Sequence, residues 1–113
     1  MNSLPIGAAV CLALVLGLAQ NASAKGNAEA GKTKAAQVCA ACHGADGAKP
    51  SAPDQPILAG QHYDYLVKAL SDYRSGKRNN AIMKGFTAGL SRQDIEDLSA
   101  WFASQKSSLH FQR

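Results

Sequence analysis

No stretch of this 113-residue sequence alternates apolar and polar side chains as a half-buried strand does. Helices are the regular elements the pattern supports, which excludes βαβ folds and the thiol–disulfide oxidoreductases built on them. Three cysteines and three histidines, with no second pair at ligand spacing, leave a structural zinc site short of its four ligands. Lys and Arg number 12 against 8 Asp and Glu, a net charge of +4, but they form no dense basic stripe interleaved with aromatics. Nucleic-acid binding is therefore not supported. No apolar run reaches the roughly 20 residues that span a bilayer as a helix.

Charge is also missing from one end: residues 1–24 contain no Lys, Arg, Asp or Glu. Within them Ile6 to Ala19 is apolar, and Gln20-Asn21-Ala22-Ser23-Ala24 follows. Ala22 and Ala24 match an A-x-A cleavage site, so residues 1–24 are expected to be a secretory signal peptide, with Lys25 opening the mature chain. The n-region departs from the usual pattern in carrying only its terminal amine, and the alternative is a retained anchor. Cys11 lies in this segment and would leave with it. What remains, residues 25–113, reads as one small domain that keeps the whole charge of +4. A domain of that size buries a limited fraction of its surface and often needs a staple.

The staple is suggested by Cys39-Ala40-Ala41-Cys42-His43. On a helix, positions i, i+3 and i+4 share a face, so two thiols and an imidazole point the same way. C-x-x-C-H in this form reads as covalent haem attachment: the thiols add across two vinyl groups, and the imidazole reaches the iron from one side. A redox thiol pair would sit in a βαβ pattern, and a disulfide would leave His43 unexplained. The motif occurs once, which predicts one haem and no internal duplication. An exported chain suits haem c assembly and points to the periplasm.

Three helices are expected. The first runs from about Asn27 to Cys42, with Ala28, Gly31, Ala35, Val38, Cys39 and Cys42 in helical period. Gly31 inside it suggests close approach by another element, or a glycine merely tolerated. The Gly- and Pro-rich segment 44–60 is a loop that either wraps a haem edge or simply connects. The second helix runs from about Gln61 to Ser75 on Leu66, Ala69, Leu70 and Tyr73, and Gly76 stops it. Residues 77–90 show no clear period and read as mostly loop. The third helix begins at Ser91, where Ser91-Arg92-Gln93-Asp94 resembles a capping box, and its apolar face is Ile95, Leu98, Trp101 and Phe102. The end, from Ser107, is expected to fray.

Met83 is the one methionine besides Met1. A lone loop Met is commonly packing. Once a haem is present, a thioether in this segment is the favoured sixth iron ligand, since His/Met ligation recurs in cytochromes c. The competitors, His62 and His110, read as solvated.

At this point the chain resembles a class I c-type cytochrome, most of all one domain of the cytochrome c-four type. The resemblance rests on residues 39–47, on Pro56-Ile57-Leu58-Ala59-Gly60-Gln61, Tyr65-Leu66, Gly76-Lys77-Arg78 with Met83, and on Leu90-Ser91, Asp94, Asp97-Leu98 and residues 101–105. It covers nearly all of 25–113. Two such domains are usual in that type, and one is seen here. The resemblance implies an all-α cytochrome c fold, three main helices wrapped around one covalently bound haem. It also implies that the Pro56 carbonyl accepts from the haem-ligating His43 and that Arg78 lies near the haem propionates. The alternative for Arg78 is a solvated charge beside Lys77. Gly31 and Trp101 match the crossing of the first and last helices.

These features predict a one-electron carrier rather than an enzyme. With His43 and Met83 both on the iron no position is open, and transfer is outer-sphere. Of Lys68, Arg74, Lys77, Arg78 and Lys84, some are expected to form a rim that steers acidic redox partners, donor and acceptor, onto the protein; the alternative is that most of them only keep the protein soluble. A membrane enters only through such a partner. The alternatives are an electron-transfer subunit of a larger periplasmic oxidoreductase and, from the enzyme class, a haem catalyst or gas sensor with a labile sixth site.

Overall fold

The computed structural model describes residues 25–107. The expected signal peptide, with Cys11, and the tail holding His110 lie outside the described residues. Among the described residues five helical segments occur in chain order: α1 Ala28–Val38, α2 Ala40–His43, α3 Tyr63–Ser75, α4 Ala81–Thr87 and α5 Arg92–Ser104. Among the described residues there is no strand, and no helix is long and apolar enough to cross a membrane. The three long helices α1, α3 and α5 are the predicted ones.

The starts of α1, α4 and α5 are each fixed by a side chain. Asn27 caps α1, its Oδ1 accepting from the Ala30 amide at 3.0 Å. Its own amide donates to Asp97 Oδ1 at 2.6 Å, which ties the head of α1 to α5. Ser91 and Asp94 form a reciprocal capping box at the head of α5, with bonds of 2.9 and 2.8 Å. Asp94 is held below the usual Asp range by the Ser91 amide first, with Lys34 of α1 adding an ion pair at 3.2 Å. Asn80 caps α4 through a 2.9 Å bond from the Met83 amide.

The first helix is broken once, at Cys39, which ends α1 and opens α2. The helical spacing of the motif survives the break, because the Cys39 carbonyl accepts from both Cys42 (3.3 Å) and His43 (3.0 Å). The second helix starts at Tyr63, two residues later than the expected Gln61, and ends at Gly76 as expected.

The larger correction concerns residues 77–90. They are not mostly loop, because Ala81–Thr87 is helical. The segment is only seven residues long and contains Gly85, so too few apolar positions repeat to mark a helical period. Ile82 and Phe86 are 68% and 48% exposed, and Thr87 is buried.

Helices α1 and α5 cross at Gly31. A Cβ there would lie 2.0 Å from the Asp97 carbonyl oxygen and 2.9 Å from Trp101 Cβ. Only glycine lets the two backbones approach this closely. Against this crossing sits a small core of Ala35, Leu66, Leu90, Ile95, Leu98 and Phe102.

Candidate functional site

The core does not close on itself. Leu66, Leu90, Leu98 and Phe102 also form one wall of a cavity of about 480 Å³, well within the size range of cofactor sites. The remaining walls come from the end of α1 with α2, from the loop 54–58, from α3 and from α4. All six residues predicted for the site line it: Cys39, Cys42, His43, Pro56, Arg78 and Met83. His62 does not.

His43 is buried, and its Nδ1 lies 2.9 Å from the Pro56 carbonyl oxygen. A carbonyl can only accept, so the proton is on Nδ1 and the Nε2 lone pair is free to bind a metal. The loop that brings Pro56 to this position is tied down at several points. Ser51 donates its amide to the Cys42 carbonyl at 2.9 Å, and the Gly47 carbonyl accepts from Leu58 at 2.8 Å. At its far end the Gly60 amide donates to the Phe102 carbonyl at 2.9 Å. Gly47 has a left-handed φ of +75°, and a Cβ there would press on Phe102 and Leu58 at 2.8–2.9 Å. Segment 44–60 is therefore tied down along its length, and its residues 54–58 form a wall of the cavity.

Cys39 and Cys42 are not joined in a disulfide. Burial first, and the adjoining Cys42 second, push Cys39 up to about 11. It is thus a neutral thiol at physiological pH.

Met83 is held from both sides of its own peptide group. Its amide donates to Asn80 Oδ1, and its carbonyl accepts from the Thr87 hydroxyl at 2.8 Å. Thr87 is only 1% exposed and, like Asn80, lines the cavity. The sequence reading missed both. Asn80, a good N-cap followed by Met83 at the third helical position, was the available signal.

Arg78 lies over the Tyr73 ring, 4.7 Å from its centroid, and donates to the Tyr65 hydroxyl at 3.3 Å. The Tyr65 bond is the leading cause holding its guanidinium above the usual Arg value. Its charge is therefore fixed at the cavity edge. The structure divides the five cations from which a rim was expected. Lys68 pairs with Asp72 within α3, and Arg74 turns inward to donate to the Leu90 carbonyl at 3.0 Å. Lys77, Arg78 and Lys84 remain exposed.

An apolar cavity flanked by two thiols, one imidazole nitrogen left free, a thioether and an edge arginine fits a haem and its substituents. Among the described residues no cluster of three or more His, Cys, Asp or Glu could hold a bare metal ion instead.

Comparison with known proteins agrees. The family model for cytochrome c matches residues 28–106. The chain is 53% identical over 100 residues to cytochrome c4 of Pseudomonas aeruginosa, covering 88% of this chain and 49% of that protein. It is 43% identical over 84 residues to cytochrome c-554(548) of Halomonas halodenitrificans, covering 72% of this chain and 99% of that protein. The crystal structure of reduced recombinant cytochrome c4 from Pseudomonas stutzeri superposes with a TM-score of 0.68 at 45% identity, over 74% of this chain and 48% of that one. The chain thus spans about half the length of the cytochrome c4 proteins it matches. With its all-α fold, its C-x-x-C-H motif on the wall of an apolar cavity and a family match along nearly the whole described length, the chain belongs to the cytochrome c family, whose members carry covalently bound haem c.

Proposed function

We propose that this protein is a periplasmic one-electron carrier, with residues 1–24 as its signal peptide and 25–113 as a monohaem domain. Cys39 and Cys42 would hold the haem through thioether bonds, and His43 and Met83 would ligate the iron. When bound, the haem supplies a metal that cycles between ferrous and ferric states.

The chain's own residues set the terms. The Pro56 carbonyl keeps the proton on His43 Nδ1 and so presents Nε2 to the iron. Asn80 and Thr87 hold the Met83 peptide, which positions the thioether without help from packing alone. Leu66, Leu98 and Phe102 exclude water from the cavity. Arg78, buttressed by Tyr65 and Tyr73, supplies a fixed positive charge for a propionate. With His43 and Met83 both holding the iron, the protein would leave no position for a substrate, which favours outer-sphere transfer to and from redox proteins.

The observation that carries this reading is that His43, with Nε2 free, and Met83 line the same apolar cavity from different helices. The test is the visible spectrum of periplasmically matured protein, oxidised and reduced. A low-spin haem c spectrum with a sulfur-to-iron charge-transfer band is expected, and Met83→Ala abolishes that band. A high-spin native spectrum that binds carbon monoxide tightly when reduced would favour an open catalytic or sensing site.

A further inference from the structure

The last turn of α3 holds both ends of the segment that carries Met83. At the entry, the Arg78 amide donates to the Asp72 carbonyl at 3.0 Å. At the exit, the Arg74 guanidinium donates to the Leu90 carbonyl at 3.0 Å, a bond between residues 16 apart. From Leu90 the bonds continue inward. The Leu90 amide donates to the Thr87 carbonyl at 3.1 Å, and the Thr87 hydroxyl donates to the Met83 carbonyl at 2.8 Å. Arg74 is thus the outer end of a chain of hydrogen bonds that finishes on the peptide group of Met83.

This arginine has no other visible task. It does not line the cavity, and among the described residues it makes no ion pair. Drawing a guanidinium partly out of water costs free energy, and here that cost is offset by a charge-assisted bond to one neutral carbonyl. Lys77, three residues on, stays exposed. The Leu90 carbonyl lies between α4 and α5, so the bond fixes the point at which the Met83 segment returns to the body of the fold. His43 is held by other elements, α2 and the loop at Pro56.

We propose that Arg74 is a positioning residue for the iron ligand Met83, acting through Leu90 and Thr87. This rests on the His43/Met83 ligation reading above. With the guanidinium in place, the segment is fastened to α3 at both ends and the thioether stays at the cavity wall. Without it the segment is fastened to α3 at its entry alone, and Met83 leaves the iron more often.

The test titrates the oxidised, haem-loaded protein with imidazole, which binds the iron only when Met83 is off it. Apparent affinity therefore reads the fraction of molecules whose sixth position is open. Arg74→Met keeps an unbranched stem and deletes the donor. It is expected to raise imidazole affinity about ten-fold, as befits the loss of a hydrogen bond from a charged group. Arg74→Gln also loses the bond, carries the same expectation, and serves if Arg74→Met does not retain haem. Two controls separate positioning from general effects. Lys77→Met removes a neighbouring exposed charge, and Asn27→Ala removes the cap of α1 and lowers global stability. Both should leave imidazole affinity within about two-fold of native. Affinity unchanged on loss of the Arg74 donor, or raised equally by either control, would overturn the proposal. Failure of the ligation reading looks different: the native spectrum then lacks the sulfur-to-iron band before any variant is made.

Discussion

Thr87 is a buried polar side chain, 1% exposed, and its hydroxyl donates to the Met83 carbonyl. Removing one hydrogen bond of this kind costs about 1 kcal/mol. Thr87→Val keeps the shape and deletes the bond. If Thr87 helps to hold the thioether, the variant should bind an added ligand such as imidazole about five-fold more tightly, because about 1 kcal/mol of competition from Met83 is gone. A titration followed in the visible spectrum checks this, and unchanged affinity would make Thr87 a packing residue only. The contrast with Pro56 is instructive. The acceptor for His43 is a backbone carbonyl, so the residue type at 56 matters through the path of the loop and not through its side chain.

Two glycines on two helices are expected to behave in opposite ways. At Gly31 a Cβ would collide with backbone of α5, so Gly31→Ala should destabilise at or above the upper end of the roughly 1–3 kcal/mol typical of overpacking. At Gly85 there is room, so Gly85→Ala should stabilise by about 0.5–1 kcal/mol. Thermal unfolding of the two variants followed by circular dichroism decides both, and matching shifts of the same sign would refute the assignment. The same elements show what could be read from sequence. Helices α1, α3 and α5 present one apolar stripe and one polar side, and each was legible, including the Ser91–Asp94 cap. The motif Cys39–His43 was legible because three uncommon side chains share a helical face. Helix α4 was not, since it is about two turns long and interrupted by Gly85, too short for an apolar stripe to repeat. The tie between Arg74 and the Leu90 carbonyl was equally hidden, because it spans segments distant in sequence and nothing local distinguishes Arg74 from Lys77.

For the molecule as a whole, the shared wall of core and cavity has a thermodynamic meaning. Leu66, Leu90, Leu98 and Phe102 pack on one side against their neighbours and on the other against the space where the haem fits. A domain this small has little other apolar surface to bury. Without haem the polypeptide should lose cooperative unfolding. The Cys39→Ser/Cys42→Ser chain, produced haem-free, is expected to give a broad, low-temperature transition by circular dichroism where the loaded protein gives a sharp one. A sharp transition at the same temperature in both would show that the polypeptide packs unaided.

The crossing of α1 and α5 has an optical consequence. Trp101 is the sole tryptophan of the chain. Its indole nitrogen donates to the Ala45 carbonyl at 3.0 Å, just beyond the attachment motif, and Lys32 lies 5.5 Å above its ring. The fluorophore is thus fastened to the two segments that flank the haem, α5 and the start of the loop after His43. A haem attached at Cys39 and Cys42 would drain its excited state by resonance energy transfer, so the folded, loaded protein is expected to emit weakly. Emission appears when α1 and α5 separate or the loop leaves the indole. The protein therefore contains its own luminescent gauge of the one helix crossing on which the rest of the fold is built.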